Sequence, residues 1–154
     1  INIIKTFYLK FPQYRWFTFR DLRGLSEKEF SNSLRDCFVS VWMDEQSGFG
    51  TFPLESMKCN VPVIGKVPNL SPDWMTENNG MWITDQTLLP DIIADYVQNW
   101  LEDNINPEIF DEMKKTVEPF SDKNKFESSI VTLFSGYLNN RADSFEQQIS
   151  KTEE

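Results

Sequence analysis

The stretch that decides the fold runs from Cys37 to Gly65 and has the sequence CFVSVWMDEQSGFGTFPLESMKCNVPVIG. Its first part, Cys37–Met43, is apolar at nearly every position, which is typical of a strand covered on both faces. We predict a strand there, a short helix over about Phe52–Cys59 and a second buried strand over Val61–Gly65. This order predicts a βαβ unit with parallel strands and a right-handed crossover.

The sequence on either side of this stretch continues the alternation of helices and strands. Ser26 and Glu29 have the spacing of a capping box, which predicts a helix from about Glu27 to Asp36. The remaining predictions are a helix over about 3–11, a strand at Arg15–Phe19, a helical turn at Ser71–Met75, a strand at Met81–Thr84, helices over 88–102 and from Pro107 to before Pro119, and a last long helix capped by Ser121.

The expected fold is therefore α/β, a Rossmann-like three-layer sandwich in which helices cover both faces of a parallel sheet. A chain of 154 residues has the length of one domain. We expect that domain over residues 1–140 and a polar, flexible tail over 141–154. Because the opening segment is already amphipathic and aromatic, we also expect the chain to be a fragment of a longer protein.

Composition excludes several classes of function. The net charge of −9 argues against a nucleic-acid partner, because phosphate backbones are bound by basic patches. The chain has no histidine, so it contains neither a Ser-His-Asp nor a Cys-His nucleophile, nor a histidine-bearing zinc site. No apolar run is long enough to span a membrane. Cys37 and Cys59 predict two buried free thiols in a reducing cytoplasm.

The glycine-rich part of the opening stretch could bind an anion. Gly48 and Gly50 allow positive φ and a close approach of a ligand. Thr51 is a candidate N-cap, and the N–H groups of the following turn would suit a phosphate or diphosphate. Glu55, about one turn further on, could accept hydrogen bonds from the diol of a ribose. An ordinary strand-to-helix corner has similar residues, and the motif lacks P-loop and dinucleotide-fingerprint spacing, so both interpretations remain open.

Residues 47–65, SGFGTFPLESMKCNVPVIG, resemble the signature of retaining, group 1 type glycosyltransferases with the GT-B fold, roughly E-G-F-G-x-x-x-x-E-A-M-A-x-G-x-P-V-I. The likeness covers about residues 15–138, with weak identity outside the signature. It implies the C-terminal half of a GT-B fold, which binds a nucleotide-diphosphate sugar for retaining transfer to a saccharide or lipid-linked acceptor. It implies no metal and no other cofactor.

The resemblance also implies roles for individual residues. Glu55 falls on the glutamate that holds the ribose. Ser47 falls on the family's first, catalytic glutamate, which is a departure, and Glu45 lies two residues earlier. Further donor contacts are implied at Gly48, Phe49, Gly50, Thr51 and Phe52. Two interpretations of Lys66 stay open, a positive charge beside the phosphates and an ordinary surface lysine. Arg20, at the end of the predicted strand, is a candidate contact of the base.

The same resemblance implies an acceptor-binding domain before Ile1, so this fragment alone should bind weakly and should not turn over. It further suggests a hexosyltransferase of polysaccharide biosynthesis whose parent protein associates peripherally with a membrane. Two alternatives remain. One is a nucleotide-sugar epimerase of GT-B fold, which the lack of histidine disfavours. The other is a non-catalytic α/β module, which Ser47 favours.

Overall fold

The computed structural model describes residues 2–44, 46, 49–122, 124, 128 and 131. The chain divides into two compact units, Ile1–Val117 and Glu118–Glu154. The described elements in chain order are α1 (Ile3–Lys10), a 3-10 turn (Pro12–Tyr14), α2 (Glu27–Arg35), β1 (Ser40–Trp42), α3 (Thr51–Lys58), β2 (Val63–Lys66), β3 (Met81–Ile83), a 3-10 turn (Gln86–Leu88), α4 (Leu89–Leu101) and α5 (Glu108–Ser121).

The three strands form one parallel sheet in the order β1-β2-β3. Ser40 pairs with Val63 in the first ladder, and Ile64 pairs with Met81 in the second. The predicted βαβ unit is thereby confirmed, and so is the α/β class. The connection β1-α3-β2 brings the start of α3 to the edge of the sheet where the parallel strands end, which is the edge where ligands bind in open α/β sheets.

The strands are shorter than their apolar runs. Phe38 belongs to the predicted first strand, but its carbonyl accepts a hydrogen bond from the Tyr96 hydroxyl (3.2 Å) instead of joining the ladder. Before β2, the Val61 N–H donates to the carbonyl of Ser56, and Pro62 has no N–H to donate. The apolar pattern thus predicted the burial correctly. The ends of the strands are set by the hydrogen bonds that the flanking backbone groups make outside the ladder.

Helices cover both faces of the sheet, because successive strand side chains point to opposite sides. On one face α1 and α4 pack on the strands, and on the other α3 and α5 do. The first core includes Phe7, Tyr14, Phe17, Ile64, Ile83, Leu89, Ile93, Ala94, Tyr96 and Val97. The second includes Trp42, Leu54, Met57, Val63, Met113 and Val117.

The prediction of a strand at Arg15–Phe19 was wrong. The Phe17 N–H donates to the carbonyl of Tyr14 (3.0 Å), and the Phe17 carbonyl accepts from the Tyr8 hydroxyl (2.5 Å). Both backbone groups of Phe17 are therefore used locally and cannot join a ladder. Phe17 is buried in the core instead, with Phe19 partly buried against it, and the Phe17 ring centroid lies 5.6 Å from that of Phe7.

Two other predictions need correction. Helix α5 continues through Pro119 to Ser121, so it does not end before the proline. A proline in the last turn of a helix removes one backbone hydrogen bond without preventing the final residues from being helical. Cys37 and Cys59 are free, as predicted, but they are only partly buried.

The end of the chain leaves two predictions untested. Ser121 is the last residue of α5, and most of the helix that it was predicted to cap lies outside the described residues. The predicted domain boundary at residue 140 also lies outside them. Within the part of the chain that the structure describes, no helix is both long and apolar enough to cross a membrane.

Candidate functional site

Helix α3 begins at a left-handed glycine. Gly50 is the N-cap residue, with φ of 68° and ψ of 58°, and no side chain caps the helix. The prediction that Thr51 is the N-cap was wrong, because Thr51 is already the first helical residue. A glycine adopts this conformation without the steric cost that a Cβ brings. The helix therefore starts one residue earlier than it would with Thr51 as the N-cap.

Two tryptophans occupy the space beside Gly50. A Cβ added to Gly50 would lie 2.8 Å from Cζ2 of Trp74 and 3.4 Å from Cη2 of Trp42. In addition, Nε1 of Trp74 donates a hydrogen bond to the carbonyl of Phe49 (2.8 Å). The glycine is therefore required both by its positive φ and by the indole that packs on it.

The tryptophans of this region serve packing. Trp42 is buried, and Trp74 and Trp82 are partly buried around Gly50 and Gly65. Trp100 is 47 % exposed, although its ring stacks on Phe38 with centroids 4.9 Å apart.

Asn79 supports the Trp74 loop, although the sequence analysis did not single it out. Its side chain is fully buried and donates from Nδ2 to the carbonyl of Trp74 (2.7 Å) and to Oγ1 of Thr116 (3.0 Å). Its Oδ1 accepts from the N–H of Thr76 (3.0 Å) and from Nε1 of Trp82 (3.1 Å). All four hydrogen bonds that an asparagine amide can make are thus formed. The one available signal was its place in an Asn-Asn-Gly turn.

Glu55 is exposed on α3, one turn from the helix start. Its pKa is raised, first by partial burial and second by the nearby carboxylate of Glu27, the first residue of α2. Among the described residues, Glu55 pairs with no lysine or arginine. Its oxygens therefore remain open to a ligand that donates hydrogen bonds, such as a sugar diol.

Arg20 and Phe52 line one cleft, which has a volume of about 1160 Å³. Phe52 is the second residue of α3, and its ring meets Phe30 edge-on with centroids 6.0 Å apart. Arg20 is exposed in an irregular segment, not at the end of a strand, and its Nη1 lies 3.6 Å from Oδ2 of Asp36. Such a long, exposed ion pair leaves the guanidinium available to other partners.

The other predicted residues that the structure describes do not line that cleft. Thr51, Glu55 and Lys66 do not line it, and Phe49 is 49 % exposed at the start of α3. Lys66 ends β2 on the same sheet edge. Hydrogen bonds from Thr87 lower the pKa of Asp85, and the charge of Lys66 adds to this effect. Glu45, Ser47 and Gly48 lie outside the described residues.

No group of three or more Cys, Asp or Glu side chains within the described ranges is arranged to hold a metal ion. No family model matches the chain, and neither a curated protein nor a solved structure shows significant similarity to it.

Proposed function

We propose that this chain is the donor-binding part of a retaining glycosyltransferase, the C-terminal half of a GT-B fold that binds a nucleotide-diphosphate sugar. The observation that carries the proposal is that the signature sequence lies at the position in the sheet where ligands bind. The glycosyltransferase-like signature surrounds a glycine-initiated helix, α3, which starts at the carboxyl edge of a parallel sheet. That edge is where open α/β sheets bind ligands.

The start of α3 provides two donors for the diphosphate. The N–H groups of Thr51 and Phe52 belong to the first turn, where no intrahelical acceptor is available, whereas Pro53 has no N–H. The helix dipole adds about 0.3–1 kcal/mol for an anion at this end. In the proposed reaction, the same groups would stabilise the charge that develops on the leaving diphosphate.

Glu55 is the proposed ribose ligand. It is exposed, lies one turn into α3 and makes no ion pair among the described residues. A carboxylate in this position can accept hydrogen bonds from both hydroxyls of a vicinal diol. Lys66, which ends β2 at the same sheet edge, is the proposed cation beside the phosphates, and Arg20 in the adjoining cleft is the proposed base contact.

Titration calorimetry with UDP, GDP and ADP tests the proposal. We expect one of the three nucleotides to bind and Glu55→Ala to weaken it by about 1.5–3 kcal/mol, the range for hydrogen bonds to a charged group. Glu102→Ala is the matched control, because Glu102 follows the last residue of α4, which packs on the opposite face of the sheet. The proposal would be overturned if none of the three nucleotides binds, or if Glu55→Ala and Glu102→Ala bind the nucleotide with equal affinity.

A second candidate is a non-catalytic module that keeps the fold, and the presence of Ser47 where the family has its first glutamate favours it. Sugar transfer by Ser47→Glu in the full-length protein distinguishes the two candidates. A large gain from an inactive starting protein supports the non-catalytic module, whereas activity before the substitution supports the enzyme. We also propose a cytoplasmic location, because the free thiols Cys37 and Cys59 persist in a reducing compartment.

A further inference from the structure

The loop before β3 contains a dipeptide that is chemically unstable in an unfolded chain. Asn79 is followed by Gly80, and this is the one Asn-Gly pair of the sequence. The backbone nitrogen of the residue after an asparagine can attack the side-chain amide carbon, and glycine, which has no Cβ, hinders that attack least. Asn79 is therefore the asparagine of this chain that is most prone to lose its side-chain amide.

The folded chain holds the Asn79 amide away from this reaction. The side chain is fully buried. Its Nδ2 donates to the carbonyl of Trp74 (2.7 Å) and to Oγ1 of Thr116 (3.0 Å), and its Oδ1 accepts from Nε1 of Trp82 (3.1 Å). Because Nδ2 would leave as ammonia, the reaction would break both of its hydrogen bonds inside the core. Burial also keeps out the water that completes the reaction.

The Trp82 ring covers the attacking partner as well. A Cβ added to Gly80 would lie 2.5 Å from Cζ2 and 2.6 Å from Cε2 of Trp82, so the indole packs directly on the glycine. Gly80 is buried and directly precedes Met81, the first residue of β3. Ring closure requires the main chain around Asn79 and Gly80 to rotate, and both the indole and the adjoining strand oppose that rotation. The packing that protects the labile pair also requires its glycine.

We propose that Asn79-Gly80 is a deamidation site that the fold protects and that unfolding exposes, so that a chain left unfolded loses its ability to refold. The Gly80 nitrogen forms a bond to Cγ of Asn79, and Nδ2 leaves as ammonia with the proton that the Gly80 nitrogen gives up. Water then adds to either carbonyl of the cyclic imide and opens it to aspartate or isoaspartate. No electrons are transferred, and water is the co-reactant. The inference does not rest on the proposed function.

Either product removes what Asn79 contributes. Both carry a carboxylate in place of the amide, so the donors to the Trp74 carbonyl and to Thr116 are lost. Isoaspartate also adds one carbon to the main chain just before β3, which displaces Met81 from its place in the ladder. Because Trp74 donates to the carbonyl of Phe49, the damage extends to the start of α3. Isoaspartate should therefore prevent refolding, whereas aspartate should lower stability.

The test incubates the whole chain in mildly alkaline buffer, with and without guanidinium chloride, and with a reducing agent that keeps Cys37 and Cys59 as thiols. Peptide mapping by mass spectrometry follows each asparagine and separates isoaspartate from aspartate. In denaturant, Asn79 should convert first, ahead of Asn78, whose next residue is an asparagine. In the folded protein, conversion of Asn79 should be at least about a hundredfold slower, because it requires the fold to open.

Dilution from the denaturant then measures refolding. The refolded fraction should fall as isoaspartate accumulates, and chains with isoaspartate at position 79 should collect in the fraction that fails to refold. Treatment of the converted chains with an isoaspartyl methyltransferase and its methyl donor, which turns isoaspartate into aspartate, should recover part of the refolding. The main chain regains its length in this step, although the amide donors stay lost.

Gly80→Ala tests the chemistry independently of folding. It is compared with the wild type in denaturant alone, where the clash with Trp82 has no effect, and its Cβ should slow conversion of Asn79 at least about tenfold. The proposal is overturned by conversion of Asn79 that is as fast in the folded protein as in denaturant, or by a rate that Gly80→Ala leaves unchanged. Full refolding of chains with isoaspartate at position 79, or a loss of refolding without conversion, would also overturn it.

Discussion

Nε1 of Trp74 donates a hydrogen bond to the carbonyl oxygen of Phe49 over 2.8 Å, and the same indole fills the space beside Gly50. Helix α3 thus begins at a turn that is held by a residue 25 positions later in the chain. The consequence is that the shape of the candidate anion site depends on the loop between β2 and β3, and not on the glycines alone.

We expect Trp74→Phe to destabilise the protein by about 0.5–1.5 kcal/mol, because it removes the hydrogen bond to Phe49 but keeps an aromatic ring. Chemical denaturation measures the change. Trp100→Phe is the control, since Trp100 is 47 % exposed and its ring stacks on Phe38 without a hydrogen bond from its indole N–H among the described contacts. Equal losses of stability in Trp74→Phe and Trp100→Phe would show that the Trp74 hydrogen bond contributes nothing to the free energy of unfolding.

Comparing Gly50→Ala with Gly24→Ala separates the cost of backbone strain from the cost of crowding by a neighbouring side chain. Both glycines have positive φ, 68° and 73°, but a Cβ at Gly24 meets no atom within 4 Å, whereas one at Gly50 lies 2.8 Å from Trp74. We expect about 1–2 kcal/mol of destabilisation at Gly24 from the left-handed conformation. Gly50→Ala should cost at least about 1 kcal/mol more, since overpacking adds to the strain.

Thermal or denaturant unfolding of the two glycine variants provides the comparison. The double variant Gly50→Ala with Trp74→Phe tests the cause, because a smaller ring should recover part of the loss at Gly50. Identical costs at Gly24 and Gly50 would mean that the indole moves away without penalty.

Asn79→Asp should destabilise the protein by about 2–4 kcal/mol. The aspartate keeps the size of the side chain but loses the Nδ2 donors to the Trp74 carbonyl and to Thr116, and it adds a buried charge. The neighbouring exposed Asn78→Asp supplies the control, with an expected effect within about 0.5 kcal/mol. Denaturation at pH 7 measures both, and a loss at Asn79 no larger than the loss at Asn78 would contradict the role of the network.

Glu27→Gln should lower the pKa of Glu55, because it removes the neighbouring carboxylate that is the second cause of its increase. Part of the increase should remain, since partial burial is the first cause. Carbon-detected NMR titration of the Glu55 carboxyl measures the shift. Asp95→Asn, an exposed change on α4, should leave the titration of Glu55 unchanged.

The sign of the effect on stability follows from the same pKa. A carboxyl whose pKa is raised by folding stabilises the native state below its unfolded pKa, and this contribution is lost as the pH rises through the folded value. Stability of the wild type relative to Glu55→Gln should therefore fall as the pH rises through the acidic range of glutamate titration. A difference that grows in the opposite direction would contradict the raised pKa.

The sequence by itself determined the class of the fold. The apolar run at Cys37–Met43, the helix-period segment after it and the second apolar run at Val61–Gly65 predicted a βαβ unit, because burial on both faces requires such runs. The capping box of Ser26 and Glu29 correctly predicted the start of α2, since both hydrogen bonds lie within four residues of chain. The glycine at position 50 likewise indicated a positive φ.

Only the tertiary structure decided what holds the site. It buried Phe17 in the core instead of placing Arg15–Phe19 in a strand, and it placed Glu27 beside Glu55. It also joined Trp74 to Phe49, and Asn79 to Thr116, 37 residues away. The physical reason is distance along the chain. Periodicity and caps record interactions within a few residues, whereas these contacts form only when the sheet brings separate loops to the same edge.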